Sequence, residues 1–156
     1  MRNAVQGMTP AELRVLADID ENGVHIVHVP ESDDGPEYSY TVGMPYSFEA
    51  PELIVFGLPA EIARDLLDAI VDEAADGTAF VAEAQREGLL HGYPVRFFDV
   101  PGELAAKYLG VAQWAHEGAA FACLQVVWPD KQGRWPWMDD VREGFAEMQP
   151  VIGRRT

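Results

Sequence analysis

Glu52-Leu53-Ile54-Val55-Phe56-Gly57 is apolar at four successive positions and stops at a glycine. A strand with one face in water alternates apolar with polar residues, whereas a strand covered on both faces does not. The stretch reads as a central strand, and the other elements are placed around it. Upstream, Val24-His25-Ile26-Val27-His28-Val29 is a β-branched run ended by Pro30. Glu31-Ser32-Asp33-Asp34-Gly35-Pro36 is a strong turn, and Glu37-Tyr38-Ser39-Tyr40-Thr41-Val42 alternates up to Gly43, so the two runs predict an antiparallel hairpin. Before them, Thr9-Pro10-Ala11-Glu12 joins a capping threonine, a proline at the first helical position and a glutamate three residues after the cap. That predicts a helix reaching to Gly23.

Downstream, residues 44–51 form a loop bounded by prolines. Pro59 opens a helix with Ile62, Leu66, Ala69, Ile70 and Ala74 on one stripe, closed by Gly77. Residues 78–82 read as a short strand, 88–93 as a loop, 94–100 as a strand and 103–116 as a helix interrupted near Gly110. Residues 121–128 read as a last buried strand and 140–149 as a short helix. This order is not a regular βαβ alternation. It predicts a single α+β domain over residues 1–156: a mostly antiparallel, curved sheet of five or six strands with helices packed on one side. Residues 1–8 and 151–156 read as flexible tails.

Composition narrows the function. A chain of 156 residues with 48% hydrophobic and 24% charged content can bury a core without a disulfide or a metal. A formal net charge of −15 argues against nucleic acid and against an anionic membrane surface as partners. The acids are uneven: residues 12–37 hold eight against the single base Arg14. Such a face suits solubility, or a basic partner protein. No signal-like segment and no membrane-length apolar run is visible, so the expected location is the cytoplasm. No sequence mark sets the oligomeric state. Cys123 is the one cysteine and sits in an apolar run, which predicts an inert, buried thiol.

Several blocks resemble the bacterial domain-of-unknown-function family 4262. They are Tyr40-Thr41-Val42-Gly43, Pro51 to Pro59, Gly92-Tyr93-Pro94-Val95, Gln125 to Asp130 and Gly133-Arg134-Trp135-Pro136-Trp137, in that order, within about residues 18–150. The resemblance implies a small bacterial cytoplasmic domain. The family carries no established activity, so it transfers no catalytic residue.

The residues themselves offer three functional readings. His25 and His28, three apart on a strand, point to opposite faces, so no metal site is expected and no cofactor is called for. No glycine-rich phosphate loop, nucleophile elbow or paired metal motif occurs. Ser39 and Thr41 share a face that is expected to meet solvent. The strongest cluster is aromatic and polar: Tyr38 and Tyr40 on one strand face, Arg96 inside a strand, and Asp130, Arg134, Trp135 and Trp137 beyond the last one. The first reading is a non-catalytic pocket in which Trp135 and Trp137 stack a planar small molecule while Arg96 or Arg134 pairs with its acid group. The second is an acidic, immunity-like domain that binds a basic protein. The third is a hydrolase using His28 or His91 with Asp130.

Overall fold

The computed structural model describes residues 1–153. Its strands are β1 (His25–Val29), β2 (Tyr38–Val42), β3 (Glu52–Phe56), β4 (Gln85–Leu90), β5 (Tyr93–Asp99) and β6 (Cys123–Val127). They form one open six-stranded sheet in the order β1-β2-β3-β6-β5-β4. Every neighbouring pair is antiparallel except the central one, where β3 and β6 run parallel. The class and the strand number agree with the sequence reading. β3 and β6 are buried at every position, as the unbroken apolar run at 53–56 requires.

The helices do not all lie on one side, and this corrects the expectation. On one face Leu53, Val55, Leu124, Val126, Val95 and Phe97 pack against Leu66, Leu67 and Ile70 of α3 (Ala60–Ala75). On the other, Tyr40, Val42, Ile54, Phe56 and Cys123 pack against three helices. These are α1 (Pro10–Asn22) through Val15 and Ile19, α4 (Gly102–Tyr108) through Ala105, and α5 (Gly110–Ala115) through Ala112 and Ala115. The physical reason is β3 itself: a strand apolar on both sides strands half its side chains in water unless each face has a cover.

Local signals explain most boundaries. Thr9 accepts from the Glu12 amide at 3.1 Å and the Glu12 carboxylate accepts from the Thr9 amide at 2.8 Å, a reciprocal cap. Residues 44–51, read as a loop, hold a short helix α2 (Met44–Phe48). It starts at Gly43, whose φ of +117° suits glycine; a Cβ there would also stand 2.8 Å from the Gly23 carbonyl. Residues 78–82 form no strand; the strand lies later, at β4. The last helix is only α6 (Phe145–Met148).

The segments read as tails are held where the structure describes them. The Arg2 amide donates to the Ala115 carbonyl at 2.7 Å, and its Nε donates to the Trp114 carbonyl at 2.9 Å. At the other end, residues 149–153 cross the sheet face that carries Gln125, and residues 154–156 lie outside the described residues. Gln125 is fully buried mid-strand. Its amide donates to the Pro150 carbonyl at 2.8 Å, and its oxygen accepts from the Ile152 and Gly153 amides at 2.8 and 2.9 Å. Gln149 pairs with both backbone groups of Trp128, accepting from its N–H at 2.9 Å and donating to its C=O at 2.8 Å.

Gln125→Ala leaves a carbonyl and two amides without partners under a closed strap. At about 1–3 kcal/mol for each buried polar group left unpaired, partly relieved by water, we expect a loss of about 3 kcal/mol in urea denaturation. A loss below about 1 kcal/mol would show that the strap is held by other contacts.

Candidate functional site

The residues picked out from the sequence separate into two places. Arg96, Trp135 and Trp137 come together. The two indoles stack on each other, 5.6 Å between centroids and 3° between planes. The Arg96 guanidinium lies 5.6–5.8 Å from the rings of Phe98, Trp135 and Trp137, a cation–π arrangement. Its buried Nε has no hydrogen-bond partner. A flat ligand held between two rings needs about 7 Å, two van der Waals spacings, so no ring fits between these indoles as they stand. Trp135 is buried and packs with Phe98 and Val127.

Asp130 and Arg134 shape the turn beside them. The Asp130 carboxylate accepts from the amides of Gln132 and Arg134 at 2.9 and 2.8 Å and from Arg134 Nε at 3.3 Å. Burial pushes the Asp130 carboxyl up, but those two amides and the guanidinium outweigh it and hold the group below the usual carboxylate range.

Tyr38 and Tyr40 lie elsewhere. They sit on β2, three strands from β5 or about 14 Å at the usual spacing, under α4 and α5. The Tyr40 hydroxyl accepts from the Val111 amide at 3.0 Å. Burial pushes its pKa up to about 12, with Tyr38 and Glu52 adding and the Val111 bond opposing. The Tyr38 hydroxyl donates to the Tyr108 carbonyl at 2.9 Å. Its ring meets Phe56 at 5.2 Å and Tyr108 at 5.6 Å, and Phe56 meets Tyr108 edge-on at 5.4 Å. These three rings line an open cavity of about 420 Å³, closed by the turn at Ser32–Pro36, Lys107 and Pro150. Lys107 Nζ stands 5.3 Å from the Tyr108 ring.

The residue that sequence reasoning missed is Glu52. Its side chain is fully buried, and both oxygens only accept. Oε1 takes the Thr41 hydroxyl at 2.8 Å and the Met44 amide at 3.1 Å; Oε2 takes the Gly43 amide at 2.8 Å and His116 Nε2 at 2.9 Å. Thr41 in turn accepts from the Leu53 amide at 2.9 Å. One carboxylate thus joins β2, the start of α2, β3 and the residue that caps α5. The signal was available: an acid opening a doubly buried strand has no route to water and needs donors.

A family model, Domain of unknown function (DUF4262), matches residues 18–142. The chain belongs to this family. No curated protein matches the chain, and no solved structure does. The DUF4262 span contains every residue that bonds Glu52, whereas Gln149 and the strap after it lie outside. The Tyr-Thr-Val-Gly and Pro-Glu-Leu blocks therefore have a structural account in this DUF4262 chain: they build the Glu52 cluster.

His25, His28, His116 and the thiol are occupied, and His91, on the turn between β4 and β5, has no hydrogen bond or ion pair with Asp130. His25 Nδ1 pairs with Asp18 at 2.7 Å. His28 lies between the Ser39 hydroxyl at 2.8 Å and Glu37 at 3.3 Å, so its carboxylate is Glu37 and not Asp130. Ser39 and Thr41 are buried rather than facing solvent: the Thr41 hydroxyl serves the buried Glu52 and the Ser39 hydroxyl the half-buried His28. Burial pushes the Cys123 thiol up, with Glu52 and Asp99 adding, so no thiolate nucleophile is available near neutral pH. Among the described residues no three His, Cys, Asp or Glu side chains gather as a metal site, and no helix is long and apolar enough to cross a membrane.

Glu52→Gln sets an amide nitrogen against a backbone N–H whichever way it turns, Gly43 on one side and Met44 on the other. We expect a stability loss of about 2–4 kcal/mol in chemical denaturation, and a neutral result would remove Glu52 as the centre of the fold. Asp130 has a depressed native pKa, so the stability it contributes is complete above its unfolded value and lost as pH falls through the native one. Between about pH 5 and pH 2 the urea midpoint of Asp130→Asn should fall less steeply than that of the parent chain. Parallel acid limbs would contradict this.

Proposed function

We propose that the protein binds a flat, largely uncharged small molecule in the cavity walled by Tyr38, Phe56 and Tyr108. The observation that carries this reading is the cavity itself: about 420 Å³, with aromatic walls and the Lys107 ammonium at its rim, beside the Tyr108 ring. Small-molecule sites are concave and of this range of volumes, and here the aromatic rings stand beside the polar groups of Ser32, Asp34 and Lys107. Lys107 meets a carbonyl or a single acid group on the ligand. A multiply charged anion is disfavoured by the net charge of −15. Ser32 and Asp34 line the cavity from the turn after β1, but no histidine stands beside them to activate the hydroxyl, so the reading is binding.

The test is a thermal-shift panel of indole, benzoate and adenosine with related aromatic metabolites. A ligand at about a hundred times its Kd adds about 2.7 kcal/mol, equivalent to a Tm rise of about 5–10 °C for a chain of this size. Tyr108→Ala should abolish the rise, and Lys107→Ala should weaken it for acids alone. A panel with no response, or a rise unchanged in Tyr108→Ala, would sink the reading.

A further inference from the structure

The two edges of the sheet are built differently. β4, at one edge, carries Arg86, Glu87 and Gly88 and breaks register between Arg86 and Leu90. Charges and irregularity of this kind stop a sheet edge from pairing with other chains. β1, at the other edge, reads His-Ile-Val-His-Val with no lysine, acid, proline or bulge, and pairs in regular register with β2. Among the described residues no other backbone segment bonds to its outer side.

That open edge does not lie on a flat surface. Val24, His25 and Ile26 line a groove of about 540 Å³ between α1 and α3. Its walls are charged: Arg14 and Asp18 on α1 and Arg64, Asp68 and Asp72 on α3. Three acids line it, Asp18, Asp68 and Asp72, against the two arginines, and Asp18 is already paired with His25, which leaves Asp68 and Asp72 to meet a partner. The acids are crowded enough to act on each other. Burial pushes the Asp68 carboxyl up, Arg64 opposes this, and Asp72 and Asp65 push it further. A second copy of the chain would bring the same acids to the same groove. A cationic strand relieves the crowding while its backbone fills the empty ladder positions.

We propose that the outer edge of β1 is a strand-addition site for an extended basic segment of a partner protein. The segment lies between α1 and α3, its main chain continuing the sheet and its lysines or arginines meeting Asp68 and Asp72. β1 spans five residues, so the paired stretch is of that length. The groove shares no lining residue with the Tyr38 cavity, which meets β1 only at Val29, and the proposal stands whether or not that cavity binds a ligand.

The probe is a capped hexapeptide of alternating lysine and valine, with a version N-methylated at alternate backbone amides and a glutamate–valine version as controls. Hydrogen exchange of the amides of residues 25–29 is followed by NMR. The lysine–valine peptide should slow exchange of the outward β1 amides by about tenfold or more, and the two controls should not. Asp68→Asn with Asp72→Asn, both on the exposed side of α3, should weaken binding about fivefold, and added salt should weaken it in the parent chain. Unchanged exchange at β1 would overturn the proposal. So would equal binding of the N-methylated peptide, or pairing of β1 with a second copy of the chain in sedimentation without peptide.

Discussion

A fully buried carboxylate is tolerable only when its acceptor sites are filled, and in this protein the filling of Glu52 organises one half of the molecule. Thr41 comes from the neighbouring strand, Gly43 and Met44 from the turn into α2, and His116 from the end of α5. None of these groups could move independently without leaving an unpaired charge in an apolar surrounding, a penalty far above the worth of an ordinary hydrogen bond. The cluster therefore fixes how β2 leaves the sheet, where the chain reverses at Gly43, and where α5 stops on the second face. Apolar packing gives the two layers their stability; Glu52 gives them their alignment.

The other half is organised by neutral groups. Gln125 and Gln149 use both ends of their amides, one to receive the strap at 150–153, the other to copy a strand partner for Trp128. Trp128 adds its indole N–H to the Phe56 carbonyl at 2.8 Å. Arg96, stacked on Phe98, Trp135 and Trp137, then seals the β5 side. The tryptophan-rich segment is thus explained largely as cover for the sheet, and the open space with aromatic walls lies at Tyr38 instead.

Where the sequence carried a period, the fold was legible. The strands at 24–29, 37–42, 52–57, 94–100 and 121–128 announce themselves by alternation or by continuous apolar runs, since a buried face must be apolar somewhere. β4 carries no such period, because an edge strand with Arg86, Glu87 and Gly88 buries little. Residues 78–82 carry a strand-like composition around Phe80, yet Phe80 is a single buried anchor in a turn-rich connection. The sidedness of the helices was misjudged although β3 held the information, as a strand apolar on both faces needs two covers. Of the site residues, Tyr38 lines the open cavity, whereas Arg96, Trp135 and Trp137 pack on each other. Glu52 and Gln125 went unread because a lone polar residue within an apolar run has no period; only its burial reveals its partners.

The parallel pairing of β3 with β6 sets an order of events. β1, β2 and β3 are neighbours in sequence as well as in space and can zip as a local meander. The middle of the sheet cannot. The Trp128 indole and the Phe56 carbonyl that it bonds are 72 positions apart, and everything from α3 to α5 lies between them. During synthesis the meander must wait, with the inner edge of β3 unpaired, until β6 has left the ribosome. The nine acids on α1 and α3, which flank this waiting half, repel the same helices on another unfinished chain.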